Sequence, residues 1–396
     1  MDDFEVLIVG AGPVGLCLAL LLARAGVQTV VYEKGAVLEE DLRASTFHSP
    51  TLDMLATLGI TESLLAQGLI CPHWQIRLHP YGDRAVFDLS VLEKDTAYPF
   101  RLQCEQWKLS QALLAALTHE PNAQVHFGVD VAGLDQDDTG VTLRFGDGRA
   151  PVRGRYLVGA DGAHSIVRKT IEQNLDGKTY PETTLLVTTR FAFEDHLEGL
   201  SNVSYCWTDG GNFSLLKVPG RWRVSIYPKE GVPLDEQLSD EQVEAVLQGI
   251  VTRDEPYEVI EKRPYRVHQR IVDNYVSGRA VLVGDAAHLN APSGGMGLNG
   301  GIHDSFELAD ALTDILRGGA GAARLDLYDR RRRPIARDQI LAQADANRAR
   351  MRERDMGARC EILAGLQAIC ADPVRLHAHV LRSSMIEGLR MSQAIT

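Results

Sequence analysis

The sequence predicts an α/β protein, in which a domain of alternating strands and helices is interrupted by a mixed β-sheet and ends in helices. Near the N-terminus, an apolar strand runs into a glycine-rich turn and an apolar helix. Between residues 185 and 227, short apolar runs alternate with glycine-containing turns, which is typical of antiparallel strands. Beyond residue 301, apolar side chains recur at helical spacing. These three observations carry the prediction.

The first element is a strand–turn–helix unit with the glycine spacing of a dinucleotide fingerprint. A buried strand at Glu5 to Val9 leads into the sequence GAGPVG, a helix follows, and the next strand ends at Glu33. In this context Gly10 makes the tight turn, Gly12 lets a pyrophosphate approach, and Gly15 lets the helix pack on the sheet. The acid at the end of the second strand is placed to accept hydrogen bonds from an adenosine ribose. We therefore expect a Rossmann-like domain, and the unit is compatible with either FAD or NAD.

A second glycine-rich stretch, Arg279 to Ala309, has the parts of a clamp for a nucleotide cofactor. Its buried strand, Ala280 to Val283, ends at a Gly-Asp pair, and a glycine-rich loop and a helix follow. Glycines let the backbone come close to a flat or phosphorylated group, because they have no Cβ. The N-terminus of the following helix offers free N–H groups and the positive end of its dipole. A purely structural turn after a buried strand is the alternative interpretation.

A third stretch carries the strand Tyr156 to Val158 and the sequence GADGAHSIVR after it. Together and in this order, the three stretches resemble the FAD motifs of the single-component FAD-dependent aromatic hydroxylases, the para-hydroxybenzoate hydroxylase-like group A flavoprotein monooxygenases. The resemblance implies a Rossmann-like FAD-binding domain made of residues 1–180 and 269–396, which includes the C-terminal helices. It also implies an inserted substrate-binding sheet domain at residues 181–268, to which residues 72–100 contribute.

The same resemblance implies roles for individual residues. In the family, the aspartate at the position of Asp285 binds the ribityl chain, and the proline at the position of Pro292 lies beside the flavin ring. The glycine loop runs under the ring, so Pro292 and Gly295 are the candidate catalytic positions. The aspartate at the position of Asp161 links the cofactor site to nicotinamide docking. The candidate cofactor-binding residues are Gly10, Gly12, Pro13, Val14, Gly15, Glu33, Lys34, Arg43, Gln106, Asp161, Asp285, Pro292, Gly295, Gly297, Leu298 and Asn299.

Side chains that alternate along the middle strands are candidates for an aromatic substrate pocket. Some of them are expected to face the core or the solvent instead. His48 is a candidate for contact with flavin or substrate, and the alternative is a helix-start residue whose ring is satisfied within the protein. The candidate substrate-binding residues are His48, Arg190, Tyr205, Trp207, Phe213, Leu215 and Arg223.

Composition excludes several other classes of function. The 396-residue chain has a formal net charge of −12, which disfavours nucleic acid and anionic membranes as partners. No apolar run is long enough to cross a bilayer, and the first residues lack the basic region of a signal peptide. The 6 cysteines are scattered without a CxxC pair, which argues for reduced thiols in a cytoplasmic protein. No metal site is predicted, and the arginines at 330–333 are interpreted as a solvated helix end that pairs with nearby acids.

The resemblance predicts an FAD-dependent monooxygenase that hydroxylates an aromatic or heteroaromatic small molecule with O2 and NAD(P)H, by way of a flavin C4a-hydroperoxide. The protein is expected to act as a monomer or homodimer. One alternative is a flavin-dependent halogenase, but the tryptophan stretch at Gly220 to Val224 does not match the GWxWxIP sequence of those enzymes. The other alternative is a flavin-binding protein that senses a ligand without turnover.

Overall fold

The computed structural model describes residues 4–40, 44–227, 232–291 and 294–396. The first of its two large sheets is mostly parallel, with the strand Phe4–Val9 inside it. Val6, Leu7 and Ile8 are fully buried, because both faces of a parallel sheet are covered, and this explains their unbroken apolar run. The strands in spatial order are Val276–Ser277, Ala280–Leu282, Val152–Gly159, Phe4–Val9, Thr29–Tyr32 and Ala123–His126, and the hairpin of Val131–Gln136 and Val141–Phe145 pairs with Val152–Gly159.

The helix that follows the first strand is buried almost all round, as its apolar sequence predicts. This helix, Pro13–Arg24, packs against helices Gln106–Leu117 and Met296–Leu316. It therefore joins the N-terminal fingerprint to the helix of the second glycine-rich stretch. Shorter helices of the same half of the molecule are Ser49–Thr57, Thr61–Leu65 and Ile166–Thr170.

The second large sheet is mostly antiparallel. Its strands in spatial order are His288–Leu289, Val259–Val272, Leu175–Thr189, Arg221–Ile226, Gly211–Val218, Val203–Thr208, His73–Leu78 and Arg84–Asp88. The first middle strand begins at Leu175, earlier than the residue 185 expected from the sequence, because it pairs with Val259–Val272 along almost its whole length. These two long strands run across residues 181 and 268, so the domain boundaries placed there stay a prediction.

Different helices cover the two faces of the second sheet. Helix Asp240–Ile250 packs on one face through Val243 and Leu247. On the other face, the C-terminal helices Met356–Cys370 and Pro373–Ser383 pack near the strands at 73–78 and 84–88.

The remaining helices are Leu234–Gln237, Ala323–Ile335, Ala342–Met351 and Ile386–Gln393, with the π-helical turn Ala336–Leu341. The short helical turns are Leu89–Leu92, Phe193–Asp195 and Gly284–Ala286. A small third sheet consists of the strands Thr46–Phe47, Arg101–Gln103 and Leu69–Cys71. Every helix in the described part of the chain is too short or too polar to cross a membrane.

Candidate functional site

The three glycines of the N-terminal turn have different surroundings. Gly10 has φ +106°, and a Cβ there would lie 2.4 Å from the carbonyl oxygen of Ala160. A Cβ on Gly15 would lie 2.1 Å from the carbonyl oxygen of Gly10. A Cβ on Gly12 would meet no described atom within 4 Å. The outer glycines are thus required by the protein's own packing, whereas Gly12 faces open space at the start of helix Pro13–Arg24, where an anionic group gains from the helix N-terminus.

Glu33 is fixed against this turn by backbone donors. Its carboxylate accepts hydrogen bonds from the N–H groups of Ala11 and Gly35, each at 2.7 Å. A carboxylate has further lone pairs, so it can still accept from a ribose hydroxyl. The next residue, Lys34, is exposed and forms an ion pair of 3.2 Å with Asp130. The structure therefore places Glu33 at the turn and Lys34 on the surface.

Val14 connects the N-terminal turn to the second glycine-rich stretch. A Cβ on Gly301 would lie 2.6 Å from Val14 Cγ2, and a Cβ on Gly284 would lie 3.3 Å from both methyl groups of Val14. The side chain of Val14 thus fills the space that these two glycines leave. Pro13 occupies the first turn of its helix, where a missing N–H costs nothing.

The third motif has both a capping role and an unused acceptor. One carboxylate oxygen of Asp161 accepts from the N–H groups of Ile166 at 2.7 Å and Val167 at 3.2 Å. The other oxygen is buried without a hydrogen-bond partner among the described residues, and burial raises the pKa of the Asp161 carboxyl. Nearby, Arg168 donates to the carbonyls of Ala163 at 2.8 Å and Ala286 at 3.0 Å. The cap explains one oxygen of Asp161, and Arg168 ties this motif to the turn that carries Asp285.

The turn Gly284–Ala286 leaves Asp285 exposed at the end of its strand. Farther on, Gly294 and Gly295 have φ of +94° and +67°, and helix Met296–Leu316 begins directly after them. Within the described ranges, no side chain caps this helix start. Its first-turn N–H groups are therefore available to an acceptor outside the helix.

Asn299 holds the glycine loop to the strand Thr46–Phe47. Its side chain donates to the carbonyls of Gly295 at 2.7 Å and Thr46 at 2.9 Å, and it accepts from the N–H of His48 at 2.9 Å. The Nε2 of His48 lies 2.8 Å from the carbonyl of Gly294, which can only accept, so this nitrogen carries the proton. Burial, followed by the charge of Arg101, lowers the pKa of His48 to about 3. Both side chains thus act as a scaffold for the loop.

Two glycines of this loop lie close to side chains of neighbouring residues. A Cβ on Gly295 would lie 2.7 Å from the Cβ of Thr46, and the positive φ would add strain. A Cβ on Gly297 would lie 2.6 Å from Oδ1 of Asn290. Leu298 is partly buried and packs at the edge of the main core. The loop therefore fits closely against the protein on this side.

A cavity of about 670 Å³ lies between the second sheet, the glycine loop and the C-terminal helices. Trp74, Ile76 and Tyr205 line it from the sheet, and Gly294 and Met296 line it from the loop. Arg101 lines it from the strand Arg101–Gln103, and the remaining wall is formed by side chains after residue 336, mostly on the C-terminal helices. The volume suits a small aromatic molecule, and the wall mixes aromatic groups with a few charged ones, as binding pockets commonly do.

The predicted substrate residues occupy different places. Tyr205 lines the cavity, whereas Trp207 is fully buried beneath the C-terminal helices and Phe213 and Leu215 pack in the core under helix Asp240–Ile250. Tyr205 and Trp207 share a strand face, but only Tyr205 reaches the cavity. Phe213 and Leu215 belong to the opposite face, because side chains alternate along a strand.

The two candidate arginines of this set also lie outside the cavity wall. Arg190 is exposed and pairs with Glu258. Arg223 is buried and donates to Oγ of Ser45 at 3.1 Å, so it links the second sheet to the segment before the strand at 46–47. We therefore correct the expectation for Arg190, which is a surface ion pair in the structure.

Three further candidates concern the cofactor phosphates and the flavin ring. Gln106 is the first residue of its helix, and its backbone N–H donates to the carbonyl of Ala44 at 3.0 Å. Arg43 and Pro292 lie outside the described residues. Their proposed roles stay predictions.

Sequence reasoning missed several residues of the cavity wall. Trp74, Arg350 and His379 come from a strand and two C-terminal helices that are far apart in the chain. Arg101, in the strand Arg101–Gln103, is a fourth such residue. No local pattern marks these positions, because only the packing of the helices on the sheet brings them together.

The chain is similar to known flavoprotein monooxygenases over almost its whole length. A family described as FAD binding domain matches residues 3–343. The chain is 34% identical over 394 residues to the para-nitrophenol 4-monooxygenase of a Pseudomonas species, which covers 98% of this chain and 96% of that protein. It is 35% identical over 337 residues to the 6-hydroxy-3-succinoylpyridine 3-monooxygenase of Pseudomonas putida, which covers 84% of this chain and 85% of that protein. The crystal structure of p-nitrophenol 4-monooxygenase from Pseudomonas putida matches with a TM-score of 0.90 at 31% identity and covers 98% of this chain and 99% of that chain.

Proposed function

The chain belongs to the single-component FAD-dependent aromatic hydroxylases, and on that premise we propose that it hydroxylates a small phenol or hydroxypyridine with O2 and NAD(P)H. In the balanced reaction, substrate, O2, NAD(P)H and a proton give the hydroxylated product, water and NAD(P)+. The observation that carries the proposal is the cavity of about 670 Å³, whose aromatic wall faces the glycine loop at Gly294 and Met296. A substrate in this cavity would lie beside the flavin ring, which the glycine loop is proposed to support.

The geometry of the three motifs supports FAD as the cofactor. Gly12 leaves room for a pyrophosphate, Asp161 keeps a buried acceptor unused, and the helix that begins at Met296 offers uncapped N–H groups within the described chain. Glu33 is the proposed ribose acceptor, and Asp285 the proposed partner of the ribityl chain. When bound, FAD supplies the redox chemistry that no side chain can supply.

The protein's own contribution is position and the exclusion of water. The hydrogen bonds of Asn299 and His48 hold the loop in one arrangement, so that a ring above it keeps a fixed distance from the substrate. Trp74, Met351 and Leu366 give the cavity apolar walls. Such walls keep water from a reactive oxygen species and thereby favour hydroxylation over the release of hydrogen peroxide.

We further propose a cytoplasmic protein that works as a monomer or homodimer. The cytoplasmic location is supported by the cysteines, which form no disulfides in the described part of the chain. Cys17, Cys71, Cys104 and Cys206 are buried free thiols, and the surface position Cys360 is a free thiol as well. Free thiols persist in reducing compartments.

The test is a screen with the FAD-loaded protein. Consumption of NADH and of NADPH is measured with and without a panel of phenols and hydroxypyridines, and the products are analysed by mass spectrometry. We expect at least one compound to stimulate consumption and to gain the mass of one oxygen atom. Compounds that bind without stimulating consumption would favour the ligand-sensing alternative and contradict the proposal.

A further inference from the structure

Arg101 brings a buried positive charge to the wall of the cavity. Its side chain is only 3% exposed, and its guanidinium carbon lies 5.0 Å from the centre of the Trp74 ring. Its Nε has no hydrogen-bond partner among the described residues, and Tyr205 is its hydrogen-bonding neighbour. No ion pair joins Arg101 to a carboxylate in the described part of the chain. A buried guanidinium without an anion is costly, so its position calls for a negatively charged partner.

A second arginine of the wall is in a similar situation. Arg350, on helix Ala342–Met351, is partly buried, and burial lowers the pKa of its guanidinium. Its guanidinium donates a hydrogen bond of 3.5 Å to Oδ1 of Asn347, and among the described residues it has no carboxylate partner. Tyr205 lies within the electrostatic reach of both Arg101 and Arg350. The two arginines therefore act on the same part of the cavity.

The acids of the cavity wall do not neutralise these charges, because each has another partner. Asp338 pairs with Arg337 at 2.7 Å, and Glu387 pairs with Arg382 at 2.8 Å. His379 also lines the cavity, and it stacks on Phe87 with ring centres 4.7 Å apart. Burial, followed by the charges of Arg350, Arg382 and Arg101, lowers the pKa of His379 to about 4, so its ring is neutral at neutral pH. The cavity thus keeps an excess of positive charge.

We propose that Arg101 and Arg350 form an anion subsite, so that the preferred substrate is an aromatic ring that carries a negatively charged oxygen group such as a carboxylate. The aromatic side chains of Trp74 and Tyr205 contact the ring, and the two guanidinium groups bind the anionic oxygens. Arginine suits this task because its planar donors match the geometry of a carboxylate. This inference rests on the proposed function, since it takes the cavity as the substrate site.

Matched ligands that differ only in charge test the subsite. The probes are para-hydroxybenzoate against para-hydroxybenzamide, and hydroxynicotinate against hydroxynicotinamide. Their dissociation constants for the FAD-loaded protein are measured at neutral pH by calorimetry and by the change in flavin absorbance. We expect the anion of at least one pair to bind about tenfold tighter or more than its amide, as hydrogen bonds to charged groups imply. Equal or weaker binding of the anion in both pairs, or no binding of either anion, would overturn the subsite.

Variants assign the preference to the two arginines. In Arg350→Gln and Arg101→Gln, the anion should lose its advantage while the amide binds as before. Because Arg101 is buried, Arg101→Lys serves as its second variant, which keeps the charge and should retain part of the preference. Arg375→Gln removes an exposed arginine from helix Pro373–Ser383 and should leave both ligands unchanged. If Arg350→Gln and Arg101→Gln weaken both members of a pair equally, the subsite is refuted.

Binding and turnover separate this inference from the function on which it rests. A preference for the anion that depends on the two arginines, without any hydroxylated product in the screen, would support the subsite and contradict the proposed hydroxylation. Hydroxylated product together with equal binding of anion and amide would contradict the subsite alone.

Discussion

Arg332 and Asp304 form a fully buried ion pair, in which Arg332 Nε lies 2.7 Å from Asp304 Oδ1. The second oxygen of Asp304 lies 2.8 Å from His288 Nε2 and accepts from the N–H of Gly284 at 3.2 Å. Burial raises the pKa of the Asp304 carboxyl, but Arg332 and His288 outweigh this effect and hold it well below its ordinary value. The pair connects helix Ala323–Ile335 to the turn Gly284–Ala286, which carries Asp285. It thereby holds in place the turn that is proposed to contact the cofactor.

The first prediction is that Asp304→Asn destabilises the protein strongly. The substitution leaves the Arg332 charge buried without its partner, and such a loss typically costs about 3–5 kcal/mol. The measurement is the free energy of unfolding in denaturant, with FAD content recorded beside it. Asp135→Asn is the matched control, because Asp135 pairs with Arg144 on the surface and an exposed pair contributes about 1 kcal/mol or less. Equal stability losses in the two variants would contradict the supporting role of Asp304.

The same ion pair contains an arginine whose burial the local sequence does not predict. The arginines at 330–333 were interpreted as a solvated helix end, and this holds in part: Arg333 pairs with Asp329 at 2.9 Å and Arg331 with Glu307 at 3.1 Å. Arg332, however, is buried against Asp304. Four consecutive residues on a helix point to four directions, so one of them had to face the core. Its acidic partner lies on another helix, and nothing in the local sequence identifies it.

The glycine motifs, in contrast, can be predicted from the sequence, because their turns are formed by residues that are close in the chain. The tight turn at Gly10 and the contact between Gly15 and Gly10 depend on residues that are close in the chain, so their spacing already encodes the geometry. The cavity wall depends on distant segments instead. Tyr205 was selected from strand alternation, but the same alternation also selected Trp207, which lies in the core. The position of the C-terminal helices decides between the two, and local patterns do not contain it.

The second prediction is that Gly12→Ala weakens FAD binding without harming the fold. Gly12 has an ordinary φ of −68°, and its new Cβ would meet no described atom within 4 Å. The methyl group would instead occupy the approach of the pyrophosphate, where overpacking typically costs about 1–3 kcal/mol. The measurements are the dissociation constant of FAD and the stability of the protein without FAD.

The matched control for Gly12→Ala is Gly365→Ala, on the exposed side of helix Met356–Cys370. A Cβ at this position also meets no described atom within 4 Å. FAD affinity should stay unchanged there, and the stability should rise by up to about 1 kcal/mol, since alanine favours helix over glycine. Wild-type FAD affinity in Gly12→Ala would show that the pyrophosphate does not pass this residue.

The third prediction concerns the neutral state of His48. Its pKa in the folded protein is about 3, whereas an unfolded histidine has a pKa of about 6.5. The unfolded chain therefore binds the proton more readily, and the stability from neutral His48 is complete above about pH 6.5 and is lost as the pH falls towards the folded value. Between about pH 6 and pH 4, the wild type should lose about 1.4 kcal/mol more per pH unit than His48→Asn.

The measurement for His48 is urea unfolding at several pH values, in wild type and in His48→Asn. The exposed His119 provides the control variant His119→Asn, whose pH profile should follow that of the wild type. If His48→Asn kept the wild-type slope, His48 would be protonated or accessible in the folded protein, and its role as a buried donor to Gly294 would fail.

The last prediction is that Asn299→Ala uncouples NAD(P)H consumption from substrate hydroxylation. The substitution removes the bonds to the carbonyls of Thr46 and Gly295 and to the N–H of His48, and each buried group left unpaired costs about 1–3 kcal/mol. The glycine loop should lose its fixed position, so that the flavin ring and the substrate no longer meet at a constant distance. The ratio of product to NAD(P)H consumed should then fall while hydrogen peroxide rises. Asn122→Ala, next to the edge strand Ala123–His126, removes two hydrogen bonds, one of 3.2 Å to the carbonyl of Ala23 and one of 2.7 Å from Nε2 of Gln28, and should keep the wild-type ratio. A folded, FAD-loaded Asn299→Ala with the wild-type ratio would show that the tether does not position the ring, and the active site would then have to lie away from this loop.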